Sequence, residues 1–150
     1  MGLYATLLHH QRLLWSTTHL HMKGGDINLL IGWIWALAGI VAGAIVGLFF
    51  HRADWAGGYT SFRRRMLRLA HISFFGLGFL NLLYAATLRM ISLADPIDVV
   101  ASIAFVSGAV TMPACCYLTA WRKPFRHLFP IPVLCTAVGV CAVLIGWSLS

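Results

Sequence analysis

The sequence predicts an all-α integral membrane protein, in which a bundle of four transmembrane helices follows a short interfacial amphipathic helix at the N-terminus. Two observations support this fold class. Sixty per cent of the 150 residues are hydrophobic and only 10% are charged, a composition typical of membrane proteins. The apolar residues also form four long runs, and about 20 such residues are needed to cross a hydrocarbon core of roughly 30 Å.

The four apolar runs define the predicted spans. We expect an interfacial segment at residues 1–26 and a transmembrane domain at residues 27–150, with spans at about 27–50, 66–88, 97–118 and 128–149. Helix-start signals agree with two of these boundaries. Asp26 is positioned to cap span one, and the run Asp95-Pro96-Ile97-Asp98 offers a cap, an N1 proline and an acidic first turn for span three.

Basic residues are distributed unequally between the two ends of the predicted spans. Eight of the eleven lie in or beside the loops that join spans one and two and spans three and four: Arg52, Arg63, Arg64, Arg65, Arg68, Arg122, Lys123 and Arg126. The opposite side has only Arg12, Lys23 and Arg89. Because cytoplasmic loops are enriched in Lys and Arg, we expect an inner (cytoplasmic) membrane protein with both termini outside. The net charge of +7 then favours contact with the lipid bilayer rather than with nucleic acid.

The predicted interfacial segment contains four of the seven histidines. A histidine cluster is a weak candidate for a metal site, because imidazole is a common metal ligand. On one straight helix, however, His10 and His21 lie about 16 Å apart, since each residue rises 1.5 Å. We therefore expect interfacial polar residues and keep a metal site as the alternative, with the candidates His9, His10, His19 and His21.

Small residues recur at helical spacing in three of the spans. Such stripes let two helix backbones approach closely, and this contact drives helix association in lipid. The sequence therefore predicts close helix packing, either inside the bundle or against another protein. The packing candidates are Gly39, Gly43 and Gly47 in span one, Gly108 in span three, and Gly139 and Gly146 in span four.

Pro113 lies inside span three. A proline in a helix interior removes one backbone hydrogen bond and leaves the carbonyl four residues earlier without its partner. That carbonyl belongs to Ala109. We therefore expect a neighbouring group to donate a hydrogen bond to Ala109.

His71 is the only histidine well inside a predicted span. It shares a helical face with Gly78, Asn81 and Ala85, because steps of seven, ten and fourteen residues return close to the starting angle. We expect this polar face to point into the bundle. His51 and His127 lie at the same end of the molecule, so three histidines from three spans are expected near one leaflet.

Two kinds of ligand suit these histidines. A haem b held by His71 with His51 or His127 would use nearby basic groups for its propionates. A quinone or lipid head group would need fewer of these side chains than a haem, because it requires no pair of axial ligands. The candidate binding residues are the same for both: His51, His71, Asn81, His127 and the cluster Arg63, Arg64 and Arg65. The alternative is an interior imidazole hydrogen-bonded to Ser73 or to a residue of span three.

No nucleophile motif and no glutamate occurs in the sequence, which favours a role other than catalysis. Our leading interpretation is a small membrane protein that acts by association, as an accessory or assembly subunit of a larger membrane complex such as a respiratory one. Its partners would be other membrane subunits or further copies of itself. Haem binding for redox or haem-handling purposes is the first alternative, and quinone or lipid head-group binding is the second.

Overall fold

A computed structural model describes residues 24–149 of the chain. This part is helical and contains no strand. Its four long helices are α1 (Gly24–Leu48), α2 (Phe62–Met90), α3 (Asp95–Trp121) and α4 (Pro130–Leu149). Short 3-10 turns at Trp55–Gly57 and Lys123–Leu128 precede α2 and α4. Residues 24–149 contain four helices that are long and apolar enough to cross a membrane.

Each predicted span overlaps one of these helices, although the ends differ. The largest difference is in α2, which begins at Phe62 rather than at Met66. The reason is that Ser61 caps this helix: its Oγ accepts a hydrogen bond from the Arg64 backbone N–H at 3.1 Å, so the basic residues form the first helical turn. Residues 24–26 belong to α1, and the rest of the predicted interfacial helix, with its four histidines, lies outside the described residues.

The two predicted aspartate caps are wrong. α1 already begins at Gly24, so Asp26 lies in its first turn, where its carboxylate forms an exposed ion pair of 3.5 Å with Arg89. In α3 the N-cap is Ala94, whose carbonyl accepts hydrogen bonds from the backbone N–H groups of Ile97 and Asp98. Acidic residues are favourable anywhere in the first turn of a helix because of the helix dipole. An aspartate therefore indicates where the first turn lies, but it does not identify the N-cap residue.

The helices pack in chain order. α1 lies on α2, α2 on α3 and α3 on α4, and α1 also touches α3. The backbone of α4 approaches α3 and the turn before it, but among the described residues it approaches neither α1 nor α2. The result is a three-helix unit with α4 attached to one side, which leaves a groove between α2 and α4.

Close glycine contacts join α1 to α2. A Cβ added at Gly32 would lie 2.9 Å from the carbonyl oxygen of Gly78, and a Cβ at Gly78 would lie 3.2 Å from the carbonyl oxygen of Gly32. Farther along α1, Gly39 meets the ring of Phe75 and Gly43 meets that of His71, at 2.8 and 2.5 Å from an added Cβ. The predicted stripe of span one thus packs inside the molecule.

The stripes of α3 and α4 are also used internally. A Cβ added at Gly108 would lie 2.7 Å from Thr136, one added at Gly139 would lie 3.0 Å from Phe105, and one added at Gly146 would lie 2.6 Å from Leu93. By contrast, a Cβ at Gly47 would meet no atom within 4 Å. Of the six predicted packing glycines, Gly47 alone lies outside a helix contact.

The carbonyl released by Pro113 has a donor. Trp35 of α1 donates a hydrogen bond from its indole Nε1 to the Ala109 oxygen at 2.8 Å. This contact confirms the expectation drawn from the proline, and it explains how α1 comes to touch α3. An indole N–H buried among apolar side chains needs such a partner.

Candidate functional site

A buried polar network joins three helices at the end of the molecule opposite the basic loops. Asn28 of α1 and Asn81 of α2 are both 0% exposed. The Asn28 Nδ2 donates to the Asn81 Oδ1 at 2.7 Å, and Ser102 Oγ of α3 donates to the Asn28 Oδ1 at 2.6 Å. Because each helix supplies one member, the network sets the register of α1, α2 and α3 relative to one another.

Backbone carbonyls satisfy the remaining donors of this network. The Asn81 Nδ2 donates to the carbonyl oxygens of Leu77 and Phe105, at 2.8 and 3.3 Å. A turn away, the Tyr84 hydroxyl is hydrogen-bonded to the carbonyl oxygen of Asp98 at 2.8 Å and to its carboxylate. Satisfied polar groups of this kind specify a packing arrangement, so Asn81 holds helices together here.

Asn81 was predicted from the sequence as a candidate residue, but its two partners, Asn28 and Ser102, were not. Asn28 follows the predicted start of span one, where a polar residue is ordinary, and Ser102 is a small residue in an apolar run. One feature of the sequence could have indicated Asn28. It is the one side-chain amide of predicted span one, and a lone amide inside a membrane needs a hydrogen-bond partner.

His71 faces α1. Its imidazole lies edge-on to the Phe75 ring with centroids 5.4 Å apart, and its Cε1 would be 2.5 Å from a Cβ at Gly43. The glycine therefore creates the space that the imidazole occupies. The expected hydrogen bond from Ser73 is not formed, because the Ser73 Oγ donates to the Ala70 carbonyl instead, and the His71 Nδ1 is buried without a hydrogen-bond partner.

The other two candidate histidines are exposed. His51 lies in the turn after α1, and His127 lies in the 3-10 turn before α4. Within residues 24–149, no group of three His, Cys, Asp or Glu side chains is arranged to hold a metal ion. The prediction that His71 lies near one leaflet with His51 and His127, and pairs with one of them, stays a prediction; the glycine stripe of α1 provides the space that the His71 ring occupies.

Arg64 differs from its two neighbours in the basic cluster. Arg63 and Arg65 are exposed, whereas Arg64 is 1% exposed. Its guanidinium carbon lies 4.8, 5.7 and 4.9 Å from the ring centroids of Phe50, Trp55 and Tyr59. Its Nη2 also donates to the Phe50 carbonyl at 3.1 Å. These three rings form an aromatic cage around a cation, in which cation–π attraction and one hydrogen bond replace an acidic partner.

The loop between α1 and α2 is shaped to close this aromatic cage. Ala56, Gly57 and Gly58 have φ angles of 56°, 88° and 92°, a conformation that reverses the chain and that only glycine adopts without strain. The Ser61 Oγ donates to the Ala56 carbonyl at 2.6 Å, and the rings of Phe49 and Trp55 stack at 5.6 Å. The loop is therefore an ordered structure built on Arg64.

Replacement of Arg64 by glutamine is expected to open this loop. The uncharged amide loses the attraction to three rings, which contributes up to about 2 kcal/mol when a cation is desolvated. We expect chymotrypsin to cleave at Phe50, Trp55 or Tyr59 about tenfold faster in the variant, since tenfold corresponds to about 1.4 kcal/mol of local opening. Arg65→Gln, which removes the same charge from an exposed position, is the control and should leave the cleavage rate unchanged. Equal acceleration in both variants would refute the structural role of the aromatic cage.

Two grooves run along the outside of the helices. The first, with a volume of about 580 Å³, lies between α1, α2 and α3, and we call it the aromatic groove; it is lined by Trp55, Phe74, Tyr117 and aliphatic residues of α1. The second, of about 640 Å³, lies between α2, α3 and α4. We call it the small-residue groove, because its lining includes Ser73, Gly76, Thr136, Ala137 and Cys141.

A third cavity, of about 730 Å³, opens at the end that carries the polar network. Asp26, Asp95 and Asp98 line it together with Arg89. The ion pair between Arg89 and Asp26 is exposed on both sides, and such pairs contribute at most about 1 kcal/mol. This cavity is therefore a polar, solvent-facing surface above the buried network.

The geometry thus offers a structural polar network at one end, an ordered basic loop at the other, and two grooves along the helices. Comparison with known protein families, with curated proteins and with solved structures finds no match to this chain.

Proposed function

We propose that this protein lies in the cytoplasmic membrane, with its basic loops in the cytoplasm and both termini outside, and acts by association as an accessory or assembly subunit of a larger membrane complex. The observation that supports this proposal is the small-residue groove. It exists because α4 packs against α3 while its backbone stays away from α2. A transmembrane helix of another protein is the occupant we propose.

The floor of the small-residue groove suits a helix. In lipid, helices associate through van der Waals contact, which requires small residues where the backbones approach. A Cβ at Gly76 would meet no atom within 4 Å, so this glycine has an open face, unlike the glycines that join α1 to α2. Cys141 and Ala137 of α4 are exposed on the facing wall. A partner helix could therefore approach α2 and α4 at the same time.

Blocking the groove tests this proposal. We expect Gly76→Phe to leave the isolated protein folded, because the ring enters open space, and to release the protein from its complex. Polymer nanodiscs cut directly from native membranes should contain the wild-type chain at a mass well above that of one or two copies. The variant should run at the mass of the chain alone.

Gly47→Phe is the matched control. Gly47 also has open space around a Cβ, but it lies on α1 away from the groove, so this variant should stay in the complex. A wild-type chain that runs alone, or a complex made only of copies of this chain, would contradict the proposal. Unchanged mass of the Gly76→Phe species would show that another surface mediates association.

The geometry favours this function over haem binding. A haem ligated by His71 would need space beside the imidazole, where Gly43 and Phe75 are in contact with it. His51 and His127 lie in exposed turns at the end that carries the basic loops. We therefore propose no haem function, and the lipid alternative is developed below on a different groove.

A further inference from the structure

The aromatic groove has the length of one membrane leaflet. Its lining on α1 extends from Ile34 to Val46, and the twelve helical steps between these residues rise about 18 Å at 1.5 Å each. Half of a hydrocarbon core of roughly 30 Å is about 15 Å. The groove therefore runs from near the middle of the apolar layer to the end that carries the basic loops, and its apolar walls match an acyl chain along this whole distance.

Aromatic residues stand at the basic end of the groove. Trp55 of the ordered loop and Tyr117 of α3 both line it, and Trp and Tyr are the residues enriched at the level of lipid head groups. Trp55 also forms one wall of the aromatic cage, 5.7 Å from the guanidinium of Arg64. Arg64 is thus a positioning residue that holds Trp55 at the mouth of the groove.

A positive charge lies on the same face of α2 as the groove lining. Arg63 is exposed and stands one helical turn before Leu67, which lines the groove; residues four apart share a helix face. Asp54 is the only acidic residue between Phe49 and Arg68. An anionic group is therefore the complement of this end, and arginine is well suited to bind phosphate oxygens.

We propose that the aromatic groove binds an anionic phospholipid of the leaflet at the basic end, with one acyl chain along α1 and the head-group phosphate at Arg63. Charge complementarity and the one-leaflet depth both select this occupant. A partner helix fits less well, because the aromatic rings of Trp55, Phe74 and Tyr117 form part of the walls and hold a second backbone away. The proposal does not depend on the small-residue groove or on its partner.

Binding of two probe lipids to the purified, delipidated full chain tests this site. Phosphatidylglycerol and phosphatidylcholine with identical acyl chains are titrated into the protein in detergent, and native mass spectrometry counts the bound lipids. We expect phosphatidylglycerol to bind about tenfold more tightly, since both lipids carry a phosphate but only phosphatidylglycerol has a net negative charge, whereas the choline ammonium of phosphatidylcholine is repelled by the basic end. Arg63→Gln should abolish most of this preference.

Two matched controls separate the site from general charge and folding effects. Arg65→Gln removes the same charge, but Arg65 points to the other side of α2, because two residues turn a helix by about 200°; it should keep the preference. Ala38→Phe fills the groove, since Ala38 lines it, and should weaken both lipids about tenfold. Ala44→Phe, at an exposed position of α1 outside the groove, should bind both lipids like the wild type.

Three results would overturn the proposal: equal binding of the two lipids by the wild type, equal losses in Arg63→Gln and Arg65→Gln, or equal losses in the two alanine variants. A quinone that co-purifies with the native protein and is displaced by Ala38→Phe would also overturn it. Circular dichroism and gel filtration of each variant show whether it is folded. Because the isolated chain is used, failure here leaves the association experiment with Gly76→Phe unaffected.

Discussion

Gly32→Val is expected to lower the free energy of unfolding by about 3 kcal/mol, the upper part of the range for overpacking a tight contact. A Cβ at this position would lie 2.9 Å from the carbonyl oxygen of Gly78 and 2.5 Å from the side chain of Leu82. The leucine can rotate away, but the carbonyl belongs to the backbone of α2. The two helices would therefore have to separate, which would also strain the hydrogen bond between Asn28 and Asn81.

The measurement is reversible unfolding in mixed micelles with increasing SDS, followed by circular dichroism or by tryptophan fluorescence. Gly47→Val is the control, because it makes the same change in the same helix where no atom lies within 4 Å of the added Cβ. It should change stability by less than about 1 kcal/mol, the size of the helix-propensity difference between ordinary residues and glycine. Similar losses at both positions would show that α1 and α2 are not in close contact.

Asn81→Leu is expected to destabilise the protein by about 2 kcal/mol. Leucine has the same branched arrangement of heavy atoms, but the Asn28 Nδ2 then loses its 2.7 Å acceptor, and the Phe105 carbonyl loses a donor. A buried polar group that loses its partner costs about 1–3 kcal/mol. The same unfolding titration measures the loss.

A double-mutant cycle with Asn28→Leu shows whether the two amides act together. Once either amide is gone, removal of the other should cost about 1 kcal/mol less, because its partner is already missing; coupling energies of this order are measured between helices in membranes. Strictly additive losses would mean that Asn28 and Asn81 do not share a hydrogen bond. The Asn28→Leu, Asn81→Leu double variant is therefore expected to be more stable than the sum of its single variants indicates.

Much of the fold could be predicted from the chain. Apolar runs located the four long helices, because the length of an apolar helix is a local property of consecutive residues. The stripes of glycine predicted close packing, and a Cβ added at Gly39, Gly43, Gly108, Gly139 or Gly146 would lie 3.0 Å or less from a neighbouring side chain. Pro113 predicted that the Ala109 carbonyl would need a donor, although nothing in the sequence indicated that Trp35 would supply it, since 74 residues separate the two.

The candidate site was harder to predict. His71 was expected near the same leaflet as His51 and His127, but the sequence did not indicate that its ring occupies the space left by Gly43, because which of two helices a side chain faces depends on how those helices cross. Likewise, the three arginines at positions 63–65 look equivalent in sequence. Arg64 alone is enclosed, because its direction on α2 coincides with the place where the loop from Phe50 to Tyr59 folds back.

The sequence by itself determined that residues 24–149 contain four helices long and apolar enough to cross a membrane, and that positive charge is concentrated at one end. These properties follow from composition and from hydropathy along the chain, which need no knowledge of neighbours. Only the tertiary structure decided that Asn28, Asn81 and Ser102 meet, that Arg64 lies in an aromatic cage, and that α4 leaves a groove beside α2. Each of these depends on the rotation and crossing of helices, which are set by packing between residues that are distant in the chain.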